Sequence, residues 1–214
     1  SIMMAINVTA QVINGDVNPS NALQSDQNYI MIDAIAHETG VVDSMWGVNI
    51  LSDGTLLNPY KIGNEKVGYL TKQSRSIFTF DTSTVPADAN ITYVLLWVGI
   101  DVANDDYQYL FNNASVDFAG LFGFGGSFTI TAFDYNAIAA YSYDTVLGNA
   151  VIGGLMLNLD NQQVPRDLNN AINRNGKTQI RLRLKQNPED LLIKLYGINY
   201  PEETIRTILY VGWE

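Results

Sequence analysis

Apolar and polar residues alternate with a period of two along most of this chain, the spacing of strands whose side chains point in turn to opposite faces of a sheet. Ile6, Val8, Ala10 and Val12 alternate with Asn7, Thr9 and Gln11 ahead of the turn signal Asn14-Gly15-Asp16. Further strands are predicted at Tyr29 to Ala36, Trp46 to Leu51 and Lys66 to Thr71. The pattern is sharpest in RSIFTFDTSTVPADANITYVLLW, from Arg75 to Trp97. There Phe78 and Phe80 face one way and Ile77 and Thr79 the other, and Asp81, Ser83, Pro86 and Asp88 fill the link with turn formers. From Ile91 to Asp101 both faces are apolar, Tyr93, Leu95 and Trp97 opposing Val94, Leu96 and Val98, as in a central strand or one covered by a loop. Phe128 to Phe133, Val151 to Leu159, Gln179 to Leu184, Leu192 to Tyr196 and Thr204 to Trp213 complete about ten strands. In the third from last, Ile180, Leu182 and Leu184 point inward and Arg181 and Arg183 outward. These patterns predict an all-β fold, a two-sheet antiparallel sandwich of jelly-roll type, as one domain over residues 1–214. Residues 101–126, rich in acids, amides, aromatics and glycines, interrupt the alternation and predict a long loop or insertion of the kind that carries function.

Two segments carry a resemblance. Arg75, Phe80, Asp81, Ser83, Val85, Pro86, Ile91 and Leu95 match the Arg, hydrophobic-Phe-Asp-x-Ser, x-Pro and apolar strand of disaggregatase-related (DNRLRE-type) domains and allied carbohydrate-binding modules. Downstream, DLNNAINRNGKTQIRLRLK, residues 167 to 185, is similar to that family's single helical turn, glycine and strand of alternating apolar and basic residues. Leu168, Ala171 and Ile172 have the one-face spacing of a short helical turn near 165–174, and Gly176 is placed to end it in a left-handed conformation. The closing TIRTILYVGW is like the family's last strand, whereas residues 1 to 70 match only in being strand-like. The resemblance implies a non-catalytic module of an exported or cell-surface protein that binds polysaccharide or a cell-surface glycan, with a structural Ca²⁺ plausible beside a sheet edge. It places Arg75 at a strand entry, where its guanidinium would pair with Asp81 or another acid, or cap loop carbonyls, and so fix the turn.

Composition narrows the partners. With 47% hydrophobic and 16% charged residues the chain is neither disordered nor, in any window, apolar enough to span a bilayer. A domain of this length buries roughly 70% of its unfolded surface, enough for a sizeable core. No signal peptide is visible at SIMMAINVTAQ. Twelve basic residues against 22 acidic give a net charge of −10, which repels phosphate backbones and argues against nucleic acid. The same charge disfavours anionic membranes and polyanionic glycans unless a local basic patch or a bound cation intervenes. The absence of cysteine removes disulfides and thiolate metal sites.

Candidate chemistry is sparse. His37 is the only histidine, so any Ser-His machinery would rest on it, and MIDAIAHETG contains no nucleophile elbow. Paired carboxylates of a polysaccharide-degrading enzyme remain a lesser alternative, since no spacing singles out a pair. Asp101, Asp105 and Asp106, with Asn104, offer clustered hard oxygens for Ca²⁺, and Asn14, Asp16, Asn18 and Asn21 are similar in character; the alternative is that both clusters solvate loops. Sugar recognition needs exposed rings beside hydrogen-bonding groups, for which Tyr107, Tyr109, Tyr141 and Trp46 are the candidates, with Phe80 and Trp97 reserved for the core. The competing class is an adhesin, fibre or surface-layer domain that binds protein or itself. A groove of rings beside polar groups would favour sugar, and a broad apolar patch would favour assembly.

Overall fold

Two long strands, β5 (Leu70–Asp81) and β6 (Ile91–Ile100), anchor opposite sheets of an antiparallel β-sandwich. The computed structural model describes residues 28–51, 59–100, 113–143, 147–151, 154–158, 168–186, 190–196 and 207–214. In the first sheet, β5 lies between β2 (Thr39–Asp43) and β11 (Lys177–Leu184); β3 (Val48–Leu51) continues from β2, and β7 (Ala114–Phe118) and β8 (Tyr141–Tyr143) continue from β11. In the second, β13 (Ile208–Trp213) and β12 (Leu192–Tyr196) run along one edge of β6 and β10 (Gly154–Asn158) along the other. β1 (Asn28–Asp33) lies outside β13, and β9 (Leu147–Val151) outside β10. β4 (Tyr60–Val67) joins the two sheets, since Tyr60 to Gly63 pair with β12 and Gly63 to Val67 with β5. The switch falls on Gly63, where φ is 106° and a Cβ would lie 2.1 Å from Leu191 O, so no other residue fits without moving the chain.

The core lies between the inner faces that the alternation predicts. Phe78 and Phe80 of β5, Ile180, Leu182 and Leu184 of β11, Val94, Leu96 and Val98 of β6, and Leu209 and Val211 of β13 belong to one buried cluster. Tyr93, Leu95 and Trp97, on the other side of β6, form a second buried cluster with Ile208 and Tyr210. The helical turn is present at Leu168–Ala171, with Leu168, Ala171 and Ile172 buried. It docks beside the Asp81-Thr82-Ser83 turn: Thr82 Oγ1 lies 2.6 Å from Asn173 O and 2.8 Å from Thr178 Oγ1. Asn169 Oδ1 also accepts a bond from Ile91 N (2.8 Å), so the two segments that carry the family resemblance meet in space.

Several expectations are corrected. Ala114–Phe118, inside the stretch expected to be loop, is strand β7, and Thr39–Asp43, lying between two predicted strands and not predicted as one, is strand β2. Phe128 to Phe133 is not a strand: Ile130 packs on Val42, Ile77 and Phe124, and a single 3₁₀ turn begins at Ala132. Trp46 stands in the turn before β3 with φ 66°, not in the strand. Lys66 to Thr71 is the tip of the β4–β5 hairpin. Gly176 has no positive φ; the turn closes instead through Asn173, whose Oδ1 accepts Asn175 N (3.1 Å) while its side-chain amide donates to Lys177 O (3.1 Å). The Ile6–Val12 strand and residues 101–112 lie outside the described residues.

Phe80 has no solvent exposure. Its replacement by Ala should destabilise the domain by about 3–5 kcal/mol through the cavity left behind. Urea denaturation measures this, and an unchanged midpoint would show that the inner face of β5 is wrongly identified.

Candidate functional site

The outer face of the first sheet carries the most specific chemistry. Register aligns one residue from each of six strands across it: Ile50, Gly40, Ile77, Arg181, Asp117 and Ser142. The row is apolar at its β3 end and ionic at its β8 end. At the ionic end the buried Asp117 carboxylate accepts Arg181 Nε and Nη2 (2.9 and 2.7 Å), Arg183 Nε and Nη2 (2.9 and 3.2 Å), and the Ser142 hydroxyl. Burial raises the Asp117 carboxyl, but the bonds from Arg183 and Ser142 and the Arg181 charge outweigh it and hold the group below the usual carboxylate range. Arg181 is itself buried, and its remaining nitrogen, Nη1, donates to the carbonyls of Asp134 (2.6 Å), Ala137 (2.9 Å) and Tyr135 (3.3 Å). The outward arginine of an alternating strand is therefore covered, and what covers it is residues 119–140.

That segment is tethered at several points. Ala119 N donates to Gln179 O (3.0 Å), Gln179 Oε1 accepts Phe124 N (2.9 Å), and Gln179 Nε2 donates to Phe128 O (3.1 Å). Phe124 and Ile130 pack on Val42 and Ile77, and the Arg181 guanidinium lies 4.5 Å from the Phe124 ring centre. Gly123 makes the bend possible, since at φ 79° a Cβ would lie 2.2 Å from Ser127 O. Thr131 and Asp134 form a capping box that opens the 3₁₀ turn Ala132–Tyr135, with Asp134 Oδ2 accepting Thr131 N at 2.7 Å. Asp134 is buried, and desolvation raises its carboxyl above the usual value despite those bonds and the Arg181 charge.

Arg75 stands within β5, not at its entry. Its guanidinium caps the Tyr135 carbonyl and stacks 3.9 Å from the Tyr135 ring centre, one of the roles expected of it. It does not pair with Asp81, six residues along the same strand; the exposed Asp81 instead accepts Ser83 N (3.1 Å) and Ser83 Oγ (2.6 Å), closing its own turn.

The covering segment stops at β2. Val42 and Ile77 beneath it are fully buried, whereas Val48 and Ile50, one strand further on the same face, are 40% and 42% exposed. Along this margin Trp46 (65% exposed) meets Phe133 (74% exposed) edge to face, with ring centres 5.6 Å apart at 72°. Asp43 shapes the turn that presents Trp46, its Oδ1 accepting Met45 N and Gly47 N, each at 2.9 Å. Trp46 is thus held exposed in a backbone conformation that costs a non-glycine residue about 1–3 kcal/mol.

Of the other sequence candidates, Tyr141 is half-buried against the core with Tyr143 behind it, because period two turns both tyrosines of β8 inward and leaves Ser142 outside. Tyr107, Tyr109, Asp101, Asp105 and Asp106 lie outside the described residues. Among the described residues no three His, Asp or Glu side chains gather as a metal-binding group. His37 is exposed in a turn. Asp117, Phe133 and Asp134 escaped the sequence reading; Thr131-x-x-Asp134 carried a signal, since it has the spacing of a capping box. No protein-family model matches the chain, and no curated protein matches it.

Asp117→Asn would leave two guanidiniums without their counter-charge and should cost about 3–5 kcal/mol in urea denaturation. A cost below about 1 kcal/mol would show that the network does not hold the fold together. Asp134 gives a pH signature of definite sign. Between the unfolded carboxyl value near ~3.9 and its raised folded value, the native group holds more protons than the unfolded one, so its contribution to stability falls as pH rises. Asp134→Asn should therefore gain stability relative to wild type as pH rises above about 4 and through the raised folded value, and a difference independent of pH would refute the raised carboxyl.

Proposed function

We propose that this domain is a non-catalytic recognition and assembly module of an exported or cell-surface protein, and that it works by presenting an uncharged aromatic surface to protein, first of all to another copy of itself. The exposed Trp46–Phe133 pair carries this reading. Large rings left in solvent at the rim of a sheet, with Met45, Val48 and Ile50 also exposed beside Trp46 in the same hairpin, have the character of an interface centre.

Three features favour protein over sugar at this surface. The rings meet edge to face, so they offer no shared flat platform. Their neighbours in the hairpin are aliphatic. The adjoining polar groups are engaged within the domain: Asp43 Oδ1 with the turn, Ser44 Oγ with Gln73 N (2.9 Å), and Gln73 Oε1 with Tyr135 and Arg75. The net charge of −10 disfavours nucleic acid, and no helix among the described residues is long and apolar enough to cross a membrane. Carbohydrate recognition is the second reading, supported by the exposure of Trp46. A Ca²⁺ at Asp101, Asp105 and Asp106 belongs to that reading.

Sedimentation equilibrium over micromolar to submillimolar protein should show mass rising with concentration. Replacing Trp46 and Phe133 together by Ala should weaken association at least about 30-fold, the loss of about 2 kcal/mol typical of a hot-spot ring, and leave the melting temperature nearly unchanged. A wild-type chain that stays monomeric and binds sugars on a broad glycan array, with or without Ca²⁺, in a manner abolished by Trp46→Ala, would transfer the surface to carbohydrate.

A further inference from the structure

The hairpin that carries Trp46 ends in a strand whose far edge has no partner strand among the described residues, β3 pairing only with β2. The direction of its backbone groups follows from the turn. Asp43 N donates to Gly47 O (3.0 Å), which makes 43 and 47 a hydrogen-bonded pair. Antiparallel alternation then directs Asn49 and Leu51 toward β2 and the N–H and C=O of Val48 and Ile50 outward. The bond from Thr39 Oγ1 to Leu51 O (3.2 Å) agrees with that alternation.

Edge strands are ordinarily protected by lysine, proline, a bulge or an inward-pointing charge. Residues 44–51, SMWGVNIL, contain no charge and no proline, and the β2–β3 register runs without a shift. The surface beside the edge is apolar as well. At roughly 200 Å² per side chain, the exposed fractions of Met45, Trp46, Val48, Ile50 and Phe133 offer on the order of 500 Å². A standard-size interface needs about 800 Å² from each partner, and the backbone edge with the exposed Ser44 and Asn49 contributes toward the remainder.

We propose that two copies of this chain pair β3 to β3 across a two-fold axis, extending the first sheet from one molecule into the other. The inference rests on the assembly reading above and names its geometry. An antiparallel pair centred on Asn49 sets Val48 opposite Ile50 of the other copy and Ile50 opposite its Val48, so the outward backbone groups meet as hydrogen-bonded pairs. Both apolar side chains then lie on the same side of the joined sheet, each beside its cross-strand counterpart. The self-complementary edge is why a second copy is the occupant. Two chains of net charge −10 can meet here because the hairpin has a single charged residue, Asp43, whose Oδ1 already serves the turn.

The absence of native cysteine permits a clean test. At the two-fold axis Asn49 would face its own copy as a non-hydrogen-bonded pair, with Cα atoms ~4.5 Å apart, within the span a disulfide bridges. Asn49→Cys should therefore form a covalent dimer in high yield under mild oxidation, while Tyr69→Cys at the exposed β4–β5 tip reports random collision. Val48→Lys with Ile50→Lys should weaken association at least about tenfold with an unchanged melting temperature, because both side chains are exposed. Asn49→Cys protein that cross-links no better than Tyr69→Cys, or a double-lysine variant that associates as tightly as wild type, overturns edge pairing even where Trp46 and Phe133 still govern association. A wild-type chain monomeric at every concentration overturns the assembly reading itself, and edge pairing with it.

Discussion

The Asp117 carboxylate is the constraint on which the outer face of the first sheet depends. Placing one carboxylate and the Arg181 guanidinium out of water is unfavourable unless nearly every polar atom finds a partner. Here the neighbouring strands supply them: Arg181 and Arg183 from β11, Ser142 from β8, and three carbonyls from residues 119–140. The segment that provides those carbonyls is thereby tied down over Val42 and Ile77, which would otherwise lie open on an apolar sheet face. The ionic network and the covering segment require each other. Without the segment Arg181 Nη1 loses its acceptors, and without Arg181 the carbonyls of Asp134, Tyr135 and Ala137 lose a donor.

The proposed function follows from where that cover ends. The 3₁₀ turn carrying Phe133 is fixed from beneath by Arg75 and Arg181 and from within by the Thr131–Asp134 box. So Phe133 arrives beside Trp46 on a segment tethered at several points, not as a side chain on a free loop. Trp46 is prepared from the other side by the Asp43 turn. The result is a preorganised aromatic margin, whose small ordering cost on binding helps a modest area to hold a partner. β3 adds the one thing a margin of side chains lacks, a row of backbone groups directed outward with a fixed register.

Much of the sandwich was legible in the sequence because period two is enforced wherever one face of a strand is buried. Phe78 and Phe80 against Ile77 and Thr79, the two faces of β6 and the inward Ile180, Leu182 and Leu184 follow that rule, while the helical turn at Leu168–Ala171 was legible from its three- and four-residue spacing. The reading went astray at two places. Phe128 to Phe133 alternates as a strand would, yet it covers a sheet and pairs with none, and alternation records burial of one side without saying what buries it. Ala114–Phe118 was missed although Ala114, Val116 and Phe118 alternate with Ser115 and Asp117, because five residues between an acid- and amide-rich stretch and a glycine-rich one were read with their neighbours; that Asp117 is buried against two arginines of another strand leaves no local trace. The candidate site was less legible still. Trp46 was singled out, but Phe133 was assigned to a strand, and their meeting depends on a turn and a tethered segment that only the fold brings together.

Amide hydrogen exchange measured as a function of protein concentration tests the central claim most directly, because it reads the β3 edge itself. The Val48 and Ile50 amides, directed away from β2, should exchange rapidly in dilute protein. They should become protected as concentration rises, with the same midpoint as the increase in mass, while Asn49 and Leu51, already paired to β2, change less. Val48 and Ile50 amides that exchange equally fast at every concentration, in a sample whose mass shows that it has associated, would contradict the account.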